Sequence, residues 1–196
     1  MRQMAHFMRT VLLRMRSARL KVWHIALAHC ADLEAAYNYP PNPNSRRPFL
    51  RGYLKARGVH FEGCIWVGTQ FRIFGVGSVR LGNRCAIGNF SSITAHGPVS
   101  IGDDFLCSSH LVVNSGTHDL LTRTPQDTSV RIGNNVWVGT RVTIIGDTEI
   151  GDNCVVAAGA VVRGVFPANS VLGGVPAKVI KTLGPSPANC WRFFQQ

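Results

Sequence analysis

Aliphatic residues recur at every sixth position through the second half of the chain, in an unbroken series made of Ile132, Val138, Ile144, Ile150, Val156 and Val162. A second series of mostly small or β-branched residues lies four positions after each member of the first, at Val136, Val142, Thr148, Cys154, Ala160 and Phe166. A helical period of about 3.6 residues loses phase with a six-residue step within two or three units, and a β-meander needs hairpin turn signals at irregular intervals. The six-residue period therefore excludes a helical bundle and a hairpin meander.

The same spacing returns upstream in shorter blocks, each displaced from the next by a small insertion: Val67, Ile73 and Val79; Leu81, Ile87 and Ile93; and Ile101, Cys107 and Val113. One strand and one corner fill about six residues, and three such units close a triangular coil around its aliphatic residues. Corners need compact residues or positive φ, which agrees with the glycines that directly follow aliphatic positions, namely Gly68, Gly82, Gly88, Gly102, Gly133, Gly139 and Gly151. The repeat predicts a parallel β-helix that begins near residue 62.

Composition sets further bounds. The 196 residues are 45% hydrophobic, as in ordinary globular proteins, so we expect one main domain. The six cysteines lie far apart, form no CxxC pair and follow no signal-peptidase site, which favours a reduced, cytoplasmic setting. Basic residues interrupt the apolar segment near the start, so we expect no membrane-spanning helix of about 18 residues.

The net charge of +11 suits nucleic acid, an anionic membrane surface or a phosphate-rich ligand such as coenzyme A. No nucleic-acid-binding motif accompanies the charge, so we expect no nucleic-acid partner. Residues 1–37 read as a basic amphipathic helix, which would either lie peripherally on the anionic inner face of a membrane or cap the open end of the solenoid. We expect a stiff linker at Pro40, Pro41, Pro43 and Pro48, and aromatic packing by the tail residues Trp191, Phe193 and Phe194.

Two stretches carry a family resemblance: residues 132–139, with the sequence IGNNVWVG, and residues 173–181, with GGVPAKVIK. They resemble the hexapeptide-repeat acyltransferases, in the sugar and polysaccharide O-acetyltransferase branch. The resemblance implies an all-β fold, a left-handed parallel β-helix, that forms a homotrimer with active sites between subunits. The expected organisation is an N-terminal α-helical segment and Pro-rich linker at 1–61, the acyltransferase domain at 62–182 and a short C-terminal tail at 183–196.

The repeat is interrupted between Val113 and Ile132, and the segment from Asp119 to Val130 lacks the six-residue pattern. We predict that it loops out of the solenoid, with His118 at the exit. O-acylation requires a base that removes the proton of the attacking hydroxyl, and a histidine titrating near neutrality suits that role. In the resembling enzymes the base also follows a short polar run and precedes a protruding loop. We therefore predict that His118 is the general base.

The resemblance implies further site residues. Trp137 would border the active site, and Asn89 would hydrogen-bond the substrate or the developing oxyanion, although Asn89 suits a tight corner equally well. Asp119 would either orient His118 or begin the loop. Asn114 and His96 are predicted to contact the acceptor. Near His96 the chain lacks the carboxylate that some sugar acetyltransferases carry, which argues against a galactoside-like acceptor.

The resemblance also implies a place for acetyl-CoA along the outside of the coils. Gly139, Thr140 and Ala158 would line the pantetheine arm. The nucleotide phosphates would meet the basic residues Arg163, Lys178 and Lys181, of which Arg163 replaces a more usual threonine.

The resemblance thus implies an acetyl-CoA-dependent O-acetyltransferase that acts on a sugar hydroxyl of a polysaccharide or a glycan precursor. Serine O-acetylation and sugar-amine N-acetylation stay open as alternatives on the same scaffold. Because no nucleophile motif is present, the expected mechanism is direct transfer without an acyl-enzyme. A γ-type carbonic anhydrase would need two zinc-binding histidines five residues apart, and the pair with this spacing, His24 and His29, lies in the N-terminal segment outside the repeat. We expect no metal.

Overall fold

The computed structural model describes residues 25–26, 28–32 and 48–184. The predictions for residues 1–24 and for the tail aromatics lie outside these ranges. Residues 28–32 are helical, and helix α1 spans Pro48–Ala56. The strands that follow are β1 (Val59–Phe61), β2 (Ile65–Val67), β3 (Arg72–Gly75), β4 (Val79–Leu81), β5 (Cys85–Ile87), β6 (Ser92–Ala95), β7 (Val99–Ile101), β8 (Leu106–Cys107), β9 (Val112–Asn114), β10 (Gly116–His118), β11 (Pro125–Asp127), β12 (Val130–Ile132), β13 (Trp137–Val138), β14 (Thr143–Ile150), β15 (Val155–Val156), β16 (Val161–Phe166), β17 (Ser170–Gly174) and β18 (Ala177–Thr182).

Parallel pairing between successive coils arranges these strands on three faces. The first face contains β1, β4, β7 and β12, and the second contains β2, β5, β8, β13, β15 and β17. The third contains β3, β6 and β9. Strands β14 and β16 bend from the third face to the first, because residues 143–145 of β14 pair with β9 and residues 148–150 pair with β12. The predicted parallel β-helix is confirmed.

The aliphatic series point into the solenoid, as the period predicted. On the second face they form one buried column made of Val67, Ile87, Cys107, Val138, Val156 and Leu172. Equivalent columns on the other two faces complete a continuous apolar core. Burial of these side chains, at about 25 cal/mol per Å² of apolar surface, is the main stabilising contribution.

The length of a coil changes along the molecule at one corner. Val59 pairs with Val79 and Val79 with Val99, so the early coils repeat after 20 residues. Val130 pairs with Thr148, a repeat of 18 residues. The two additional residues lie where the third face turns into the first, since Ile93 and Ile101 are eight positions apart. This third-to-first corner also carries the interruption between β9 and β12.

Asn and Asp side chains link successive coils where the first face turns into the second. The Oδ1 atoms of Asn83, Asp103, Asn134 and Asp152 each accept a hydrogen bond from a backbone N–H one coil earlier, at 2.9, 2.8, 2.9 and 2.6 Å. A Cβ at Gly102 would lie 2.6 Å from Asn134 Oδ1, so glycine is required for close stacking. Positive φ is adopted instead by neighbours such as Asn135 and Asn153. These corner positions therefore require glycine because a Cβ would collide with the next coil, and not because of a positive φ.

Helix α1 closes the open end of the solenoid. Its side chains Leu50, Tyr53 and Leu54 are buried in the same core, and Tyr53 Oη accepts a hydrogen bond of 3.0 Å from the Ile73 amide. Asp32, in the preceding helical segment, pairs with Arg72 at 2.9 Å. Within residues 1–37, Asp32 and the buried Ala28 contact this end of the solenoid, which favours capping for the described part of that segment. No helix among the described residues is long and apolar enough to cross a bilayer.

Two details of the N-terminal boundary differ from the sequence prediction. The solenoid begins at Val59, slightly before the predicted residue 62, and His60 therefore lies within β1. Pro48 begins α1 and is not part of a linker, which agrees with the preference of proline for the first turn of a helix.

The buried thiol of Cys107 gives a pH-dependent test of the core. Burial raises its pKa from 9.0 to about 12, because the interior disfavours the thiolate. Below pH 9 the thiol is neutral in both states. As pH rises from 9 towards 12 the unfolded chain loses this proton and the folded chain keeps it, so the free energy of unfolding falls. Cys107→Val, which matches Ile87 and Val138 above and below it, should reduce that fall. Urea unfolding at pH 7, 9 and 10.5 measures the free energy of unfolding of both proteins. If this free energy fell equally with pH in the wild type and in Cys107→Val, the result would contradict this account.

Candidate active site

The interruption between β9 and β12 folds as a β-hairpin at the third-to-first corner. Strands β10 and β11 pair antiparallel, with Gly116 opposite Asp127 and His118 opposite Pro125. The segment leaves the solenoid as predicted, but its bounds differ: the hairpin begins at Gly116, and Val130 is already a buried residue of β12. His118 therefore lies on the outgoing strand of the hairpin and not at the exit. The His118 side chain is exposed to solvent.

Asp119 organises the tip of the hairpin. Its Oδ1 accepts hydrogen bonds from the amides of Thr122 and Leu121 at 2.8 and 2.9 Å, and from the Thr122 hydroxyl at 3.0 Å. These donors, the Thr122 amide foremost, lower the pKa of the Asp119 carboxyl. Of the two roles weighed for Asp119, this geometry fits the one that begins the loop.

Three of the predicted site residues meet at this corner. The His96 imidazole packs directly over Gly116, where a Cβ would collide with the ring. Asn114 Oδ1 accepts a hydrogen bond of 2.9 Å from the Gly116 amide, which turns the chain into β10. His96 and Asn114 therefore both contact Gly116 at the base of the hairpin, two residues before His118.

A second group lies where the second face turns into the third. Asn89 Oδ1 accepts a hydrogen bond of 2.9 Å from the Thr69 amide, so its side chain supports the corner. Further along the same edge, a Cβ at Gly139 would lie 2.6 Å from the Ala158 amide nitrogen. Thr140 Oγ1 donates to the Ser109 carbonyl at 3.0 Å. Gly139, Thr140 and Ala158 thus form a compact stretch of this second-to-third corner.

The remaining predicted residues are distributed over other surfaces. Trp137 lies on β13 in the second face and is 49% exposed, so it is not a buried packing residue within the chain. Lys178 and Lys181 are exposed on β18, which pairs antiparallel with β17. Arg163 lies at the third-to-first corner, where it approaches Asp147 at 3.6 Å.

One chain does not bring all these residues together. In a triangular coil, each corner lies opposite the face that does not form it, so His118 at the third-to-first corner is opposite Trp137 on the second face. Asn89, Gly139, Thr140 and Ala158 occupy another corner. Within the described residues, no three His, Cys, Asp or Glu side chains are grouped as a metal site requires.

Some site features were missed by sequence analysis. Phe90, next to Asn89, stacks on His110 with ring centroids 5.2 Å apart. The signal was available, because these two residues are separated by 20 positions, the coil repeat of that region. Ser115 and Thr128, which join the two ends of the hairpin, were also overlooked, since the repeat pattern gives no information within the interruption.

Comparisons with known proteins agree with this architecture. The bacterial transferase hexapeptide (six repeats) family model matches residues 129–164. The chain is 33% identical over 129 residues to the "Putative lipopolysaccharide biosynthesis O-acetyl transferase WbbJ" of Escherichia coli (strain K12), covering 59% of this chain and 66% of that relative. It is 38% identical over 90 residues to the galactoside O-acetyltransferase of the same organism, covering 43% and 44%. These alignments span less than two thirds of either relative's length.

A solved structure shows the same fold. The hexapeptide-repeat containing acetyltransferase VCA0836 of Vibrio cholerae O1 biovar eltor, complexed with acetyl coenzyme A, superposes with a TM-score of 0.61 and 22% identity, over 86% of this chain and 91% of that chain. The solenoid is a left-handed parallel β-helix of hexapeptide repeats with one protruding hairpin. The chain thus carries the hexapeptide repeat of bacterial transferases at residues 129–164 and is similar in sequence to acetyltransferases.

The contact between Gly116 and His96 can be tested by filling the space. Gly116→Ala should lower the free energy of unfolding by about 1–3 kcal/mol, because the added Cβ displaces the His96 ring. Thermal and urea unfolding measure the change. Gly184→Ala is the matched control, since a Cβ there meets no atom within 4 Å. Adding His96→Ala to Gly116→Ala should recover the lost stability, and an unchanged double variant would contradict the packing described.

Proposed function

We propose that this protein is an acetyl-CoA-dependent O-acetyltransferase that transfers an acetyl group to a sugar hydroxyl, in a polysaccharide or a glycan precursor. The observation that carries the proposal is the exposed His118 on a hairpin that leaves a hexapeptide-repeat solenoid. The names of the relatives support the same chemistry, since one concerns lipopolysaccharide O-acetylation and another galactoside O-acetylation.

In the proposed reaction, an imidazole nitrogen of His118 accepts the proton of the acceptor hydroxyl as its oxygen attacks the thioester carbonyl carbon. The new C–O bond forms, the C–S bond breaks, and His118 returns the proton to the departing sulfur. The buried thiols Cys85 and Cys107 are poor candidates for a covalent intermediate, because burial raises the pKa of each to about 12 and suppresses the thiolate. Direct transfer in a ternary complex needs no such nucleophile.

The active site in this proposal lies between two copies of the chain, in a homotrimer. One copy contributes His118, His96 and Asn114 from its third-to-first corner. A second copy contributes Trp137 and the second-to-third corner with Asn89. The proposal rests on the separation of these two groups in a single chain, since residues on opposite sides of one solenoid can act together only across an interface.

Acetyl-CoA would bind along the compact edge at Gly139, Thr140 and Ala158. The fit is physical, because the small side chains at these three positions let the pantetheine arm approach backbone groups there. The exposed lysines Lys178 and Lys181 would meet the phosphates. Arg163 lies on a different corner of the chain, so it would reach the nucleotide only from the copy that supplies His118.

This reaction would take place in the cytoplasm. The described cysteines Cys30, Cys64, Cys85, Cys107 and Cys154 are free thiols, as a reducing compartment favours. Peripheral membrane contact through residues 1–37 is part of the proposal for a lipid-linked acceptor, and co-sedimentation with anionic vesicles tests it.

The role of His118 is tested by comparing it with another exposed histidine. Release of free CoA thiol is first screened against sugars, nucleotide-sugars, polysaccharide fragments, amino sugars and serine. With the sugar acceptor found, His118→Ala should lower turnover about 10²–10⁴-fold, the usual contribution of a general base, and leave acetyl-CoA binding intact. His60→Ala, on β1, is the control and should remain active. Near-wild-type turnover by His118→Ala would refute the assignment of His118 as the base. Activity with serine alone, or with amino sugars alone, would refute the sugar hydroxyl as the acceptor.

The position of the site between copies is tested by mixing variants. His118→Ala and Trp137→Ala are each expected to be impaired alone. Co-expressed trimers should regain about a quarter of wild-type activity. Each interface needs an intact His118 from one copy and an intact Trp137 from the other, and random assembly of equal amounts gives this combination in about a quarter of the interfaces. Mixing the purified homotrimers without exchange is the control. A co-expressed sample no more active than its parents would argue that the two residues act within one chain or not at all.

A further inference from the structure

The direction of His118 depends on the register of the hairpin. Residues 116–118 pair with residues 125–127, and His118 stands opposite Pro125. Successive side chains of a strand point to opposite sides, so a slip of one residue would turn the imidazole to the other side of the ribbon. An isolated two-stranded hairpin is only marginally stable in water. The turn organised by Asp119 fixes the hairpin at its tip, and a second fixed contact at its base would secure the register at the end nearest the solenoid.

That contact lies at the base of the hairpin, between Ser115 and Thr128. The Thr128 amide and the Thr128 Oγ1 hydroxyl both donate to the Ser115 carbonyl oxygen, each at 2.9 Å. This adds one rung below the pair formed by Gly116 and Asp127. The hydroxyl bond depends on the side chain of Thr128. A residue without a β-hydroxyl at this position would keep only the hydrogen bond from its backbone amide.

Ser115 itself is fixed to the solenoid. Its side chain is 0% exposed, and its Oγ donates to the Gly97 carbonyl at 2.7 Å and accepts from the His96 amide at 3.1 Å. Its own amide donates to the Thr94 carbonyl at 3.0 Å. The Ser115 carbonyl that accepts from Thr128 is therefore held in a fixed position by hydrogen bonds to the preceding coil.

The space for Thr128 is provided by two glycines. A Cβ on Gly146 would collide with Thr128 Oγ1, and a Cβ on Gly97 would collide with the Thr128 carbonyl oxygen. Thr128 is thus packed between the coil before the hairpin and the coil after it. It joins the returning strand of the hairpin to both.

We infer that Thr128 is a positioning residue for His118: its hydroxyl fixes the hairpin register and thereby the side on which the imidazole is presented. The inference rests on the proposed function of His118 as the base. Thr128 touches no reacting atom and acts through the rungs between Ser115 and His118.

The test compares Thr128→Val, which loses the hydroxyl and keeps the shape, with Thr128→Ser, which keeps the hydroxyl. Thr128→Val should lower kcat about tenfold and leave the KM for acetyl-CoA unchanged, because loss of one fixed hydrogen bond lets part of the population present His118 wrongly. Thr128→Ser should retain most of the kcat. Amide hydrogen exchange at residues 116–118 should be faster in Thr128→Val than in the wild type or Thr128→Ser.

The matched control is Thr148→Val. Thr148 lies at the same corner one coil later, and its hydroxyl also donates to backbone carbonyls, those of Ile145 and Val162. Both acceptors belong to the solenoid, and valine occupies the paired position Val130 in the preceding coil. Thr148→Val should therefore leave both kcat and hairpin exchange unchanged, below the melting temperature of every variant.

The outcomes separate the two proposals. An active wild type with unchanged kcat and unchanged exchange in Thr128→Val would overturn the inference and leave the proposed function standing. Equal losses of kcat in Thr128→Val and Thr148→Val would also overturn it, because the effect would then be general destabilisation. A wild type inactive with every acceptor would refute the proposed function, and the exchange measurement would still decide whether Thr128 holds the register.

Discussion

Hydrogen bonding from each coil to the next is the constraint on which the rest of this molecule depends. Almost every strand pairs in parallel with the coil before and the coil after it, at a separation of about 4.8 Å. The side chains that point inwards are therefore stacked in columns, and the corners must stack as closely as the strands. Glycines such as Gly102, and the Asn and Asp oxygens that accept from the coil before, satisfy that demand. The solenoid is a rigid frame because a shift of one coil would break the contacts of both neighbours.

The sequence was informative wherever one coil repeats the last. The aliphatic period identified the parallel β-helix and the inward residues of the 18-residue coils, since six positions place a side chain at the same height on the next face. It was less informative at the ends. Helix α1 and the start of β1 at Val59 follow from how α1 covers the first coil, which is a contact between elements and leaves no period in the sequence.

The site was predictable to a different degree. The interruption after Val113 located the hairpin and His118, because a break in a repeat is visible in one chain. The register of the hairpin was not predictable, since both the Asp119 turn at its tip and the hydrogen bond from Thr128 to the Ser115 carbonyl at its base lie where the repeat is interrupted. Nor did spacing reveal that Trp137 and His118 lie on opposite sides of the coil. That separation requires the closed triangular cross-section, and it makes assembly a condition of the proposed chemistry.

The early coils carry two more residues than the later ones, and all of the additional length is at the third-to-first corner. The same corner releases the hairpin, which is longer still, without disturbing the columns on either side. This edge is therefore the place where the molecule tolerates insertion. A hairpin of another length or sequence, joined at the same base, would alter which acceptor is admitted and leave the frame unchanged, so the scaffold and its specificity can vary independently.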